Sequence, residues 1–98
     1  MPKPKSKTPP KRRRVMFSFE APKAKKVILM GDFNRWDTKS HPMKKDYKGV
    51  WRKTVMLFPG KHEYRFLADG KWQNDPHNEK VCLNSYGSYN NYLIIEPK

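Results

Sequence analysis

The sequence predicts an all-β fold, an immunoglobulin-like β-sandwich, and three observations carry that expectation. Short stretches of alternating apolar and polar residues recur between Val15 and Ile95, parted by Gly, Pro, Asn and Asp. No segment of ten or more residues repeats its apolar positions at helical spacing, and none opens with a helix-start signal. The length, 98 residues with 36% apolar and 13% aromatic content, suits one small, aromatic-rich core. A small closed barrel is the alternative architecture for the same pattern.

The elements follow in order. Val15, Phe17 and Phe19 alternate with Met16, Ser18 and Glu20, so one face of a strand is buried until Ala21-Pro22 breaks it. Lys26–Gly31 (KVILMG) is a second strand with Val27 and Leu29 on one face. Gly31–Trp36 (GDFNRW) is a run of turn formers closed by tryptophan, and Thr38–Gly49 is a long lysine-rich loop with at most a short edge segment. In WRKTVML, Trp51, Val55 and Leu57 share a face, with Lys53 the exception, which places Trp51 in the core. Phe58-Pro59-Gly60 turns the chain into KHEYRFLAD. There Tyr64, Phe66 and Ala68 face one way and Arg65 and Leu67 the other, and Asp69-Gly70 signals a tight hairpin. Trp72 stands just past that turn, where it shares an exposed surface with Arg65. Gln73–Ser88 is irregular, and Asn91–Ile95 is the last strand.

The charge divides the chain in two. Of the 22 Lys and Arg residues, 7 lie in residues 1–14 with four prolines and no acid, leaving 15 basic and 9 acidic residues in residues 15–98. Low hydrophobicity and high charge mark residues 1–14 as a disordered basic tail, and residues 15–98 as the folded domain. Such a tail favours an acidic partner, nucleic acid included. No apolar run approaches the ~20 residues of a membrane-spanning helix, and the start of the chain has no signal-peptide pattern. The single cysteine, Cys82, fits a reducing cytoplasm.

Catalysis is not expected. No serine sits in a Gly-x-Ser-x-Gly elbow, and His41, His62 and His77 lack metal-ligand spacing. Asp69 and Asp75 could be imagined as a carboxylate pair, but each is better explained as a turn former. No cofactor or metal is implied. What stands out is aromatic residues beside amides in loops: Trp36 in GDFNRW, Trp72 after the hairpin, and Tyr86, Tyr89 and Asn90 in NSYGSYNN. A flat indole covers the apolar C–H face of a pyranose, while amide and guanidinium groups bond its hydroxyls. Tyr89 is a lead-in to the last strand and stays outside the site.

Together GDFNRW, PGKHEYRFLADGKWQNDP and YGSYNN, in this order and spacing, closely resemble the family-48 carbohydrate-binding modules. These include the glycogen-binding domain of the AMP-activated protein kinase β subunit and early-set domains of branching and debranching enzymes. The resemblance covers about Val15 to Pro97. It implies an early-set, immunoglobulin-like sandwich that binds α-1,4-linked glucans such as glycogen or starch. On that basis the stacking tryptophans fall on Trp36 and Trp72, and the basic residue between them on Arg65. Ser88 and Asn90 are its hydroxyl partners, and Tyr86 takes the place of the family's leucine as a third stacking surface. A glycogen-metabolism enzyme or a kinase is the implied protein partner. The competing reading is a regulatory protein- or nucleic-acid-interaction module that uses the basic tail.

Overall fold

Residue alternation decides which side of each strand is buried, and the chain folds accordingly. A computed structural model of the chain describes residues 11–97. The elements are β1 (Arg13–Glu20), β2 (Val27–Gly31), a 3-10 turn (Asp32–Asn34), β3 (Lys44–Lys45), β4 (Val50–Leu57), β5 (Gly60–Ala68), β6 (Lys71–Gln73), β7 (Val81–Leu83) and β8 (Tyr89–Ile95). One sheet has the order β1-β4-β3 and the other β2-β5-β8-β7, with β6 also paired to β5. These pairings are all antiparallel. The named strands form two separate sheets, linked at one edge only by an antiparallel bridge from Ile28 of β2 to Pro42 just ahead of β3, so the fold is a sandwich and not the closed barrel.

The core fills the space between the sheets. Phe17, Phe19, Trp51, Val55 and Leu57 enter from the smaller sheet, and Val27, Leu29, Tyr64 and Phe66 from the larger. Aromatic rings join the layers: Phe17 meets Tyr64 edge-on at 4.9 Å, and Phe19 lies 4.8 Å from Phe66. Trp51 is buried as expected, and its Nε1–H donates to the Ala21 carbonyl at 2.9 Å, so the indole brings no unpaired donor into the core.

Three boundaries differ from the sequence expectation. β1 begins at Arg13, because β4 extends far enough for Arg13 and Arg14 to pair with Leu57 and Met56. Arg13 Nη1 also donates to the Glu96 carbonyl at 3.1 Å. The expected disordered tail otherwise falls largely on residues 1–10, outside the described residues. The stretch expected to be irregular contains β7, which pairs with β8 from Tyr89 to Asn91. At three residues it is too short for alternation to reveal it. β8 likewise begins at Tyr89, two residues before the expected start.

The segment between β6 and β7 is held by a fully buried asparagine. Asn91 Oδ1 accepts from Asn74 Nδ2 at 2.9 Å and from the Asp75 backbone N–H at 2.7 Å, while its Nδ2 donates to the Asn78 carbonyl at 2.8 Å. Tyr64 OH donates to Asp75 Oδ2 at 2.7 Å and accepts from Asn78 Nδ2 at 3.0 Å. Burial raises the Tyr64 pKa well above the ordinary phenol range, so the hydroxyl remains a donor. The loop is irregular in backbone but pinned by side chains.

Candidate functional site: an aromatic groove on the outer face of the larger sheet

Tyr64 and Phe66 point into the core, so Glu63 and Arg65 on the same strand point outward. β5 therefore builds the core with one face and a groove with the other. The groove has a volume of about 1060 Å³, and its lining includes Trp36, Arg65, Trp72, Tyr86, Ser88 and Asn90. All six candidate residues thus meet on one surface, delivered by three separate segments of the chain. Met30, which pairs with Arg65 and is buried, contributes to the floor.

Trp36 is presented by a strained loop. Arg35 and Trp36 both adopt left-handed backbone angles, φ 57° and 58°, at a cost of about 1–3 kcal/mol each for residues with a Cβ. The buried Asn34 offsets that cost. Its Oδ1 accepts from the Gly31 N–H at 3.1 Å and the Trp36 N–H at 3.0 Å, and its Nδ2 donates to the Leu29 carbonyl at 3.0 Å. Nδ2 also lies 2.8 Å from His41 Nδ1, which must be the unprotonated acceptor because the amide nitrogen can only donate. Burial, reinforced by the Lys53 charge, lowers the His41 pKa and so favours that neutral form. Gly31 is required where β2 meets this loop: a Cβ there would lie 2.8 Å from the Glu63 carbonyl oxygen.

Trp72 is presented by the β5–β6 hairpin. Asp69 and Gly70 have φ of 49° and 81°, as a mirror-image two-residue turn demands. The Asp69 carboxylate does more than form the turn: its Oδ1 accepts from the Lys25 and Lys26 backbone N–H groups, each at 2.9 Å, tying the hairpin tip to the start of β2. Asp69 and Asp75 are both held by structural hydrogen bonds. Trp72 is 46% exposed, and half-buried Trp36 packs against it at a steep angle. The Arg65 guanidinium sits over the Trp72 ring, 5.3 Å from its centre.

The third wall is a hydrogen-bonded loop. Arg65 Nη1 donates to Ser88 Oγ at 3.3 Å, joining the hairpin to this wall. Asn84 Oδ1 accepts from the Tyr86 and Ser88 N–H groups at 2.9 and 3.1 Å, while its Nδ2 donates to Ser88 Oγ at 2.9 Å and Asn90 Oδ1 at 3.1 Å. Asn90 Nδ2 in turn donates to Glu63 Oε1 at 3.0 Å. Tyr86, at the tip of the loop, is 92% exposed. Sequence reasoning missed Asn34, Asn84 and Glu63: Asn84 and Glu63 line the groove, and all three hydrogen-bond other groove residues. An asparagine just before an aromatic-containing turn was the available signal for the first two, since an Asx side chain commonly caps the turn that follows it.

Cys82 is partly buried in β7, and burial together with the nearby Glu63 carboxylate raises its thiol pKa, which makes it a poorer nucleophile than a free cysteine. Among the described residues no group of three or more His, Cys, Asp or Glu side chains is placed to hold a metal.

An antiparallel sandwich with an open groove lined by aromatic and amide side chains on one sheet is an architecture that carbohydrate-binding modules use. Residues 13–98 match the model of one such family, and the chain belongs to it: the glycogen recognition site of AMP-activated protein kinase. The match begins at the first residue of β1. The chain is 43% identical over 72 residues to protein PTST homolog 2, chloroplastic, of Arabidopsis thaliana, a stretch covering 74% of this chain and 13% of that protein. It is 35% identical over 73 residues to 5'-AMP-activated protein kinase subunit beta-2 of Homo sapiens, covering 74% of this chain and 25% of the subunit. It is also 43% identical over 53 residues to the 1,4-alpha-glucan branching enzyme GlgB of Prochlorococcus marinus, covering 54% of this chain and 7% of the enzyme. The chain therefore spans a quarter or less of the length of each of these relatives.

Proposed function

We propose that this chain is a non-catalytic module that binds α-1,4-linked glucans of the glycogen or starch kind. The supporting observation is the convergence of Trp36, Trp72 and Tyr86 with Arg65, Ser88 and Asn90 on one open groove. Among the relatives, a kinase subunit and a 1,4-alpha-glucan branching enzyme support the choice of ligand and of an enzyme as protein partner. In this reading the Trp72 ring and the inclined Trp36 ring cover the apolar faces of successive glucose units. Ser88 and Asn90 bond hydroxyls, Arg65 braces Trp72 while offering its remaining N–H groups, and Tyr86 closes the exposed end. The free thiol of Cys82 suits a reducing compartment such as the cytoplasm.

Affinity electrophoresis through glycogen or amylose tests the proposal. The wild-type chain is retarded and the Trp72→Ala chain migrates freely while remaining folded. Equal retardation of the wild type and the Trp36→Ala/Trp72→Ala double variant would sink it.

A further inference from the structure

We infer that Asn84 is a positioning residue that sets the hydrogen-bonding polarity of the groove's third wall, turning it into a wall of donors toward the ligand. The inference rests on the glucan-binding reading of the groove and goes beyond it by naming what the wall selects: ligand oxygens acting as acceptors.

The orientation of the Asn84 amide is forced. Two backbone donors, Tyr86 N–H and Ser88 N–H, converge on one of its atoms, which must be Oδ1. Nδ2 then points the other way, where it donates to Ser88 Oγ and Asn90 Oδ1. That in turn fixes Asn90. With Oδ1 toward Asn84, its Nδ2 faces the Glu63 carboxylate, where it donates at 3.0 Å. A flipped Asn90 would set nitrogen against the Asn84 nitrogen and oxygen against the carboxylate. At 6% exposure it has little water to relieve either clash.

What is left over defines the wall. Asn90 keeps one unused Nδ2 hydrogen. Ser88 Oγ accepts from both Asn84 Nδ2 and Arg65 Nη1, which occupies its two lone pairs and leaves its proton to give. Its resting acceptor is Asn84 Oδ1 at a long 3.3 Å, so a ligand oxygen at normal distance replaces a poor bond with a good one. Hydroxyl, ring or glycosidic oxygens therefore meet this wall as acceptors.

Three variants test the inference. Asn84→Asp keeps an acceptor for Tyr86 N–H and Ser88 N–H but sets a carboxylate oxygen against Asn90 Oδ1. Its retention on amylose should fall about ten-fold, the scale of one misdirected buried hydrogen bond. Its Tyr86 and Ser88 backbone amide resonances should stay near wild type, while the Asn90 side-chain amide resonances move. Tyr47→Ser, at a fully exposed position outside the groove, should keep wild-type retention. Asn84→Ala loses both loop and wall, and should bind no better than Asn84→Asp. Wild-type retention by Asn84→Asp, or unmoved Asn90 side-chain resonances, would overturn the inference. Failure of the wild-type chain itself to be retained would instead overturn the glucan reading, and the Asn90 resonances in the free variant would then decide the positioning claim alone.

Discussion

The indole rings of Trp36 and Trp72 stand edge to face, with centres 6.2 Å apart and planes inclined at 67°. Two coplanar rings would suit a flat ribbon of sugars, whereas inclined rings suit a chain that turns between one glucose and the next. The relation also makes each ring a support for the other, because edge-to-face pairs contribute about 0.5–1.5 kcal/mol beyond burial. Trp72 is thus one side of a corner, with Trp36 as the other.

Trp72→Ala should therefore abolish glucan retention at small cost to the fold. The side chain is nearly half exposed and its main partners are Trp36 and Arg65, so the loss of stability should be about 1 kcal/mol. Phe66→Ala is the contrast, since Phe66 is 0% exposed at the centre of the core and truncation there should cost about 3–5 kcal/mol. Urea titrations of the two variants, read beside affinity electrophoresis, separate a binding residue from a structural one.

Asn34→Ala should damage both. Its side chain satisfies the Gly31 and Trp36 N–H groups and the Leu29 carbonyl inside the loop that carries Trp36. Removing it leaves buried groups unpaired, at about 1–3 kcal/mol, and releases the left-handed backbone at Arg35 and Trp36. Denaturation midpoint and amylose retention should fall together, and the Trp36 emission should shift to the red as the ring meets water. A variant of wild-type stability that still binds would contradict the assignment.

Much of this was legible in the sequence, and the illegible part has a physical cause. The core face of β5 and the Asp69-Gly70 turn follow from local alternation and backbone demand, which the sequence states outright. Trp36 and Trp72 announced themselves as large aromatics among turn formers. Asn34, Asn84 and Glu63 did not, because their importance lies in what they touch across the fold. Glu63 reaches Asn90, 27 residues away, and no local pattern records such a pairing. β7 escaped notice for the same reason, since three residues become a strand only beside β8.

Salt separates the groove from the charge. Glucan is uncharged, so retention should change less than about two-fold between 50 and 500 mM salt, whereas binding to nucleic acid through basic residues should fall steeply. Deleting residues 1–10 should leave glucan retention unchanged. Deleting residues 1–14 should in addition lower the thermal midpoint, because it removes Arg13 and Arg14 from β1 and the Arg13 bond to the Glu96 carbonyl. Steep salt dependence of amylose retention would argue against the stacking groove as the binding surface.

Acidification should weaken the fold and the groove together through His41. Its folded pKa lies below the ordinary value of about 6.5, lowered first by burial and then by the Lys53 charge. The unfolded chain therefore takes up the proton more readily, so stability is fully present above about pH 6.5 and declines as the pH falls from there through the folded pKa. The mechanism is specific: protonated His41 would present Nδ1–H to Asn34 Nδ2, donor against donor, at the anchor of the Trp36 loop. Asp37 and Asp46, whose pKa values are lowered mainly by backbone N–H donors, lose their contributions only below the ordinary carboxylate range, so the two windows separate. Thermal midpoints and amylose retention measured between pH 7.5 and 5 should fall in parallel for the wild type. The slope should flatten in His41→Gln, whose side-chain oxygen still accepts from Asn34 but cannot take a proton. An equal slope in both proteins would remove His41 as the cause.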